Sequence, residues 1–333
     1  MIASVAFRNF KALRNAHLEL APFNLVIGPN GSGKTSLIQA LMRLRLLSRL
    51  PLREPVSAGE RDIADGPEVT FRFTPPYDTS EAVISCVSDV QCDLLQVDPL
   101  GNDWPGLRGR LQSMRSYIFD HHAIAAHAPE REGAELTANG GNLAAVLLTL
   151  REREPESLAK LRAELIRILP EYTDLVCARE TDGQIGVHLL LADGAGVIPA
   201  ENASQGTLYL LAILALAFAP TPPALVCIEE IDRGFHPRFL REVRDLLYQL
   251  SHPDGFGLKR APVQVIATTH SPYLLDLFRD HPEEVVISEK QGTAATFSRL
   301  VDRTDVKELL EDGSLGDMWF TGILGGVPEE KHE

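Results

Sequence analysis

One octapeptide narrows the possible folds more than any other feature: Gly28-Pro29-Asn30-Gly31-Ser32-Gly33-Lys34-Thr35. It matches the phosphate-binding loop pattern G-x-x-x-x-G-K-[ST] in full. The apolar run 23–27 before it reads as a short buried strand. Residues 35–49 behind it read as a helix, with Leu37, Ile38, Leu41 and Leu44 at helical spacing. Strand, glycine-rich loop and helix in that order predict an α/β fold built on this loop. Glycines let successive backbone N–H groups curl round a phosphate with no Cβ in the way. The helix start adds free donors and a positive dipole end. Lys34 can neutralise β and γ phosphates, and the Thr35 hydroxyl can ligate Mg²⁺. The expected cradle runs over Gly28, Pro29, Asn30, Gly31, Ser32, Gly33, Lys34, Thr35 and Ser36.

The chain has 333 residues, 44% of them hydrophobic, enough for one large domain or two smaller ones. A formal net charge of −14 argues against a broad basic surface for DNA or for an anionic membrane, though a local basic groove remains open. No uninterrupted apolar stretch has the length of a membrane span; the longest candidate is 208–219. Cys86, Cys92, Cys177 and Cys227 form no C-x-x-C pair, so reduced cytoplasmic thiols are expected. The first residues lack the basic start and cleavage site of a secretory leader.

Strands are expected at 2–8 and 17–20, an irregular connection at 50–66, and paired strands at 69–73 and 82–87. Residues 98–141 read as mostly loop. Asp120, His121, His122 and His127 lie there at no recognisable metal-ligand spacing and are taken as loop residues. Two helices follow, one from Asn142 and one from Pro155 to Leu169. They are read as a short helical insertion, about 100–182, within a single domain. Strand character returns at 185–191 and 197–198.

Ser204-Gln205-Gly206-Thr207 opens a helix that is apolar almost all round and therefore buried. Ser204 is either a plain N-cap or part of an anion site at the helix start. The continuous apolar run 224–228 reads as a central parallel strand ending in Glu229-Glu230. Carboxylates at that end lie where open α/β sheets bind ligands. One can hold Mg²⁺ and the other can orient or deprotonate a water. A further buried strand, 262–267, ends in Thr268-Thr269-His270-Ser271-Pro272, where His270 can sense a γ-phosphate. A closing hairpin is expected at 284–300.

This order of phosphate loop, Ser-x-Gly-Thr helix, Glu-Glu strand and Thr-His-Ser-Pro resembles an ABC-type ATPase head. Asn9-Phe10-Lys11-Ala12-Leu13 is similar to the N-F-K-S-L stretch of RecF, SMC and OLD-type ATPases. Residues 229–237 resemble their E-E-P-E-x-x-L-H-P, with Ile231 in place of the usual Pro. Residues 142–147 and 315–322 are similar to a stand-alone bacterial "predicted ATPase" family, also called AAA family ATPases. The resemblance implies a P-loop NTPase with mixed and parallel sheets flanked by helices, using ATP and Mg²⁺.

It also implies roles. Lys34 and Thr35 would bind phosphate and Mg²⁺, Glu229 would stand on the Mg²⁺ side, and Glu230 would be the catalytic base. His270 would be the switch histidine, and His236 would fall in a segment crossing a dimer interface. Ser204 and Gly206 would touch the γ-phosphate held by a second protomer. The glutamine that couples insertion to site is left between Gln91 and Gln96.

Three readings compete. The leading one is an ATPase that forms a head-to-tail homodimer on ATP and drives a separate effector, such as a nuclease, in DNA maintenance or phage defence. DNA itself is a possible partner that the charge does not show, and no membrane partner is expected. The others are a nucleotide-gated binding module with little turnover and a transporter ATPase subunit. The intact Glu230 opposes the former. The long interval from Lys34 to Ser204 opposes the latter.

Overall fold

The structure is a computed structural model, and it describes residues 1–52, 66–88, 91–130, 135–181, 183–192, 194 and 196–325. Most of the connection expected at 50–66 lies outside the described residues. In chain order the elements are β1 (Ile2–Phe10), β2 (Leu13–Glu19), β3 (Phe23–Ile27), α1 (Lys34–Leu47), β4 (Glu68–Phe73), β5 (Glu81–Cys86), β6 (Cys92–Asp98), α2 (Trp104–Ser113) and β7 (Arg115–Tyr117). There follow α3 (His121–Ala125), α4 (Leu143–Arg153), α5 (Pro155–Ile168), β8 (Tyr172–Arg179), β9 (Ile185–Leu191), β10 (Val197–Pro199) and α6 (Gln205–Ala217). The last are β11 (Leu225–Ile228), α7 (Leu240–Ser251), β12 (Gln264–Thr268), α8 (Pro272–Asp276), β13 (Val285–Gln291), β14 (Ala294–Arg299), α9 (Val306–Asp312) and α10 (Leu315–Phe320).

The chain folds into two compact units, one of Met1–Ser116, Pro223–Ile231 and Pro262–Glu333, the other of Tyr117–Pro222 and Asp232–Ala261. The first holds a six-stranded sheet in the order β14-β13-β3-β12-β11-β7 and a five-stranded antiparallel sheet in the order β2-β1-β4-β5-β6. Strands β3, β12 and β11 are parallel neighbours, with Thr268 level with Val26 and Ile228 level with Ala267. Every residue of these three strands is buried, as the unbroken apolar runs require. Their carboxyl ends therefore fall on one edge of the sheet. The antiparallel sheet packs its alternate residues Val5, Phe7, Val69 and Phe71 with Leu37, Leu41 and Leu44 of α1 in one core. The Gln264 side chain joins the two sheets by accepting from Ile2 N at 2.9 Å and donating to Ile2 O at 2.8 Å.

The second unit holds the sheet β10-β9-β8 and the helices α3 to α7. Helix α6 is buried from Thr207 to Ala217, as its all-round apolarity predicts. Its partners within the unit are α3, α4, α5 and α7.

Three expectations change. The stretch 98–141 contains α2, β7 and α3 rather than loop alone. Pro105, Gly106 and Gly109 suppress the helical signal of α2, which forms because Leu107 and Leu111 bury one face. Residues 172–179 form β8, a strand masked by Thr173 and Asp174 on its solvent side. Finally, Cys86 and Cys92 are joined as a disulfide rather than standing as separate thiols. The β5–β6 register sets them directly opposite each other, with Cα atoms 3.8 Å apart. Cys177 and Cys227 are free and buried, and burial raises both thiols, Cys177 to about 11.

Candidate active site

The phosphate loop leaves β3 at Ile27 and closes into α1, whose N-cap is Gly33 in left-handed conformation at φ 102°. No side chain caps this helix and no acidic residue sits in its first turn. The opening N–H groups and the positive end of the dipole thus face whatever enters the loop. Gly31 has φ 75°, also in the region that favours glycine. At Gly28 the requirement is space. A Cβ there would lie 2.3 Å from Ser288 O and 2.6 Å from Ser32 Oγ. Strand β13 is the wall responsible, and the Ser288 hydroxyl donates to Ser32 O at 2.5 Å. Pro29 is half-buried, and Asn30 is exposed at the turn of the loop.

The Lys34 ammonium donates to Gly28 O at 2.7 Å and to Pro29 O at 2.9 Å, curling back over the loop. Burial pushes its pKa down from the ordinary lysine value, while Glu230 and Glu229 pull the other way. An ammonium this buried, held by carbonyl oxygens and flanked by carboxylates, is placed to receive an anion. Thr35, at the helix start, donates its hydroxyl to Glu229 Oε2 at 2.9 Å. The two groups expected to share a divalent cation, 194 positions apart in sequence, are thus in contact. A hydroxyl and a carboxylate oxygen are the hard donors that Mg²⁺ prefers. Ser36 is half-buried in the first turn of α1.

Glu230 follows at the end of β11 with φ 50°, one of three non-glycine residues of positive φ among those described. Its N–H donates to Thr268 Oγ1 at 2.9 Å, and Ile231 N donates to Thr268 O at 3.0 Å. These bonds hold the turn that swings the exposed Glu230 carboxyl off the line of the strand. Such strained backbone is found where the surroundings over-determine it, commonly at functional sites. Thr269 N donates to Val26 O at 3.2 Å, placing the exposed His270 at the same sheet edge. Sequence reasoning missed Thr268 as the anchor of the carboxylate turn and Ser288 as the loop's brace. Both read as ordinary hydroxyls at strand ends.

Ser204, Gly206 and His236 belong to the second unit. Ser204 is the N-cap of α6, its Oγ accepting from Thr207 N at 3.1 Å. Gly206 packs tightly, since a Cβ there would lie 3.0 Å from Gly234 O. Gly234 has φ 77°, and a Cβ there would meet Gln205 and Tyr209. The two glycines together let the turn at Gly234 lie against the opening of α6. Gln91 sits in the β5–β6 connection and Gln96 on β6, both in the antiparallel sheet, whereas the strand beside β11 is β7.

A phosphate loop braced by the sheet, joined through Thr35 to a carboxylate on the second strand over, defines a P-loop ATPase of ABC-head architecture. The chain belongs to the family described as "AAA domain, putative AbiEii toxin, Type IV TA system", which matches residues 23–276. It is 24% identical to an OLD nuclease of Thermus scotoductus over 374 residues, covering 96% of this chain and 69% of that protein. A stretch of 44 residues is 46% identical to the DNA replication and repair protein RecF of Erwinia tasmaniensis, covering 13% of this chain and 12% of RecF. The fold is similar to an Smc head bound to the C-terminal winged-helix domain of ScpA, with TM-score 0.62, 14% identity and coverage of 89% and 96% of the two chains. An Smc head with an extended coiled coil, bound to the C-terminal domain of ScpA derived from Pyrococcus furiosus, gives 0.58 at 14% identity, covering 94% and 100%. The chain is thus an ATPase of the RecF, SMC and OLD class. No helix among the described residues is long and apolar enough to cross a membrane.

Proposed function

We propose that the protein binds and hydrolyses ATP, forms a head-to-tail homodimer on ATP, and uses that cycle to drive a separate effector protein. The observation that carries the reading is the Thr35–Glu229 contact beside Lys34, which joins phosphate and metal ligands into one site. In this reading the backbone N–H groups of residues 30–36 hold the α and β phosphates and Lys34 neutralises the β and γ phosphates. Thr35 and Glu229 hold Mg²⁺, which supplies charge neutralisation for the departing phosphate. Glu230 accepts the proton of the attacking water, and His270 orients the γ-phosphate end. Ser204 and Gly206 act on the nucleotide of the partner protomer, since twofold symmetry makes each surface serve both sites.

We place this ATPase in the cytoplasm, as one domain with an insertion, working in DNA maintenance or phage defence. The kinship to a protein named as a nuclease and to RecF supports that setting. A nuclease is accordingly the effector chemistry to seek first. The test is phosphate release from Mg-ATP by the purified protein, alone, with duplex DNA, and with co-purified partners. Turnover that Lys34→Ala abolishes supports the reading. Phosphate release absent under all three conditions, with ATP bound, moves the protein to a nucleotide-gated binding module.

A further inference from the structure

The phosphate loop has a second lysine beside it that belongs to neither the loop nor its helix. Strand β13 runs parallel to β3, with Ile287 level with Ile27, so Ser288 comes level with Gly28. Ser288 turns its hydroxyl to the loop and bonds Ser32 O. Side chains two apart on a strand share a face. Lys290 therefore projects on the loop side as Ser288 does, one step further past the end of β3. Its Nζ lies 3.7 Å from the position a Cβ on Gly31 would take, and apart from Gly31 and its chain neighbours no other heavy atom lies within 4 Å of that position among the described residues. Glu289 takes the opposite face, where its Oε1 lies 2.4 Å from the position a Cβ on Gly325 would take.

Lys290 is exposed, and no hydrogen bond or ion pair engages it among the described residues. No carboxylate among the described residues lies within ion-pair distance of its ammonium. A flexible four-carbon stem lets the ammonium move over the loop without any change in the backbone. Lys34, by contrast, is buried and committed to Gly28 O and Pro29 O. One cation is thus fixed inside the loop and another is free to swing beside it.

We propose that Lys290 is a second phosphate-binding cation, supplied by the closing hairpin, that makes the site prefer nucleotides with more phosphates. The proposal rests on the ATP-binding reading above. A unit charge beside the loop, acting on a multiply charged phosphate tail in a partly screened site, changes affinity by roughly tenfold. The gain should grow with the charge of the phosphate tail and shrink in high salt.

The experiment is calorimetry of AMP, ADP and ATP, at low and high salt, with wild type, Lys34→Ala, Lys290→Met, Lys290→Arg and Lys290→Glu. The expected result for Lys290→Met is a roughly tenfold loss for ATP and a smaller one for ADP, closing as salt rises. Lys290→Arg should keep most of the affinity, and Lys290→Glu should lose more than Lys290→Met. Melting temperatures should be unchanged, because nothing in the fold leans on this side chain. If ATP affinity of Lys290→Met stays within twofold of wild type while Lys34→Ala loses it, Lys290 is a solvated surface lysine and the proposal fails alone. Equal losses in Lys290→Met and Lys290→Arg also overturn it, since charge would then not be the cause. If wild type binds no ATP, the underlying reading fails with it.

Discussion

Lys34 and Glu230 each carry a cost in the folded chain, and each makes a separate prediction. Lys34 is held charged against a burial penalty that its two carbonyl partners and the nearby carboxylates offset. Lys34→Ala should therefore leave the melting temperature close to wild type while ATP affinity falls beyond calorimetric detection. Unchanged affinity would remove the phosphate-loop assignment. Glu230 sits in left-handed backbone, which costs a non-glycine residue roughly 1–2 kcal/mol. Glu230→Gly relieves that strain, less what glycine gains in unfolded-state freedom. Thermal unfolding should show Glu230→Gly at least as stable as wild type although it turns over no ATP. A melting temperature several degrees lower would mean that the side chain supports the fold.

At the scale of elements, the brace between β13 and the loop is the part with most leverage. Gly28→Ala drives a Cβ into Ser288 O, and backbone on both sides must shift. Overpacking of this kind costs roughly 1–3 kcal/mol, and the shift falls on the loop itself. We expect the unfolding free energy from denaturant titration to drop by that amount and ATP affinity to fall by at least tenfold. A variant that binds ATP like wild type would show that the loop is not shaped by β13. Much of this scale was legible beforehand. The loop, α1, β11 and β12 announce themselves because phosphate chemistry demands glycine and lysine at fixed spacing, and buried parallel strands demand unbroken apolar runs. The brace was not legible, because a serine at a strand end carries no signal until the register of β13 on β3 is known. Helix α2 was hidden by Pro105, Gly106 and Gly109, its stability coming from burial rather than propensity. The Cys86–Cys92 pair was hidden because only the β5–β6 register sets the two cysteines opposite each other.

For the whole molecule, the consequence of the reading is an ATP-dependent dimer. Ser204 caps α6 through Thr207 N, so Ser204→Arg should cost about 1 kcal/mol of stability and leave the buried helix in place. Binding of ATP by one protomer should survive, because Lys34, Thr35 and Glu229 all belong to the first unit. Sedimentation with Mg-ATP should find Glu230→Gln dimeric and the double variant with Ser204→Arg monomeric. Two indistinguishable dimers would move the contact away from the start of α6. The most direct test of the central claim, that residues 28–36 with Glu229 and Glu230 form one hydrolytic ATP site, is the nucleotide retained after Mg-ATP loading and rapid desalting. The account predicts ADP on wild type and intact ATP on Glu230→Gln, because an amide keeps the shape of the carboxyl and accepts no proton. ADP on Glu230→Gln at the wild-type rate would contradict it, and would move the base away from Glu230.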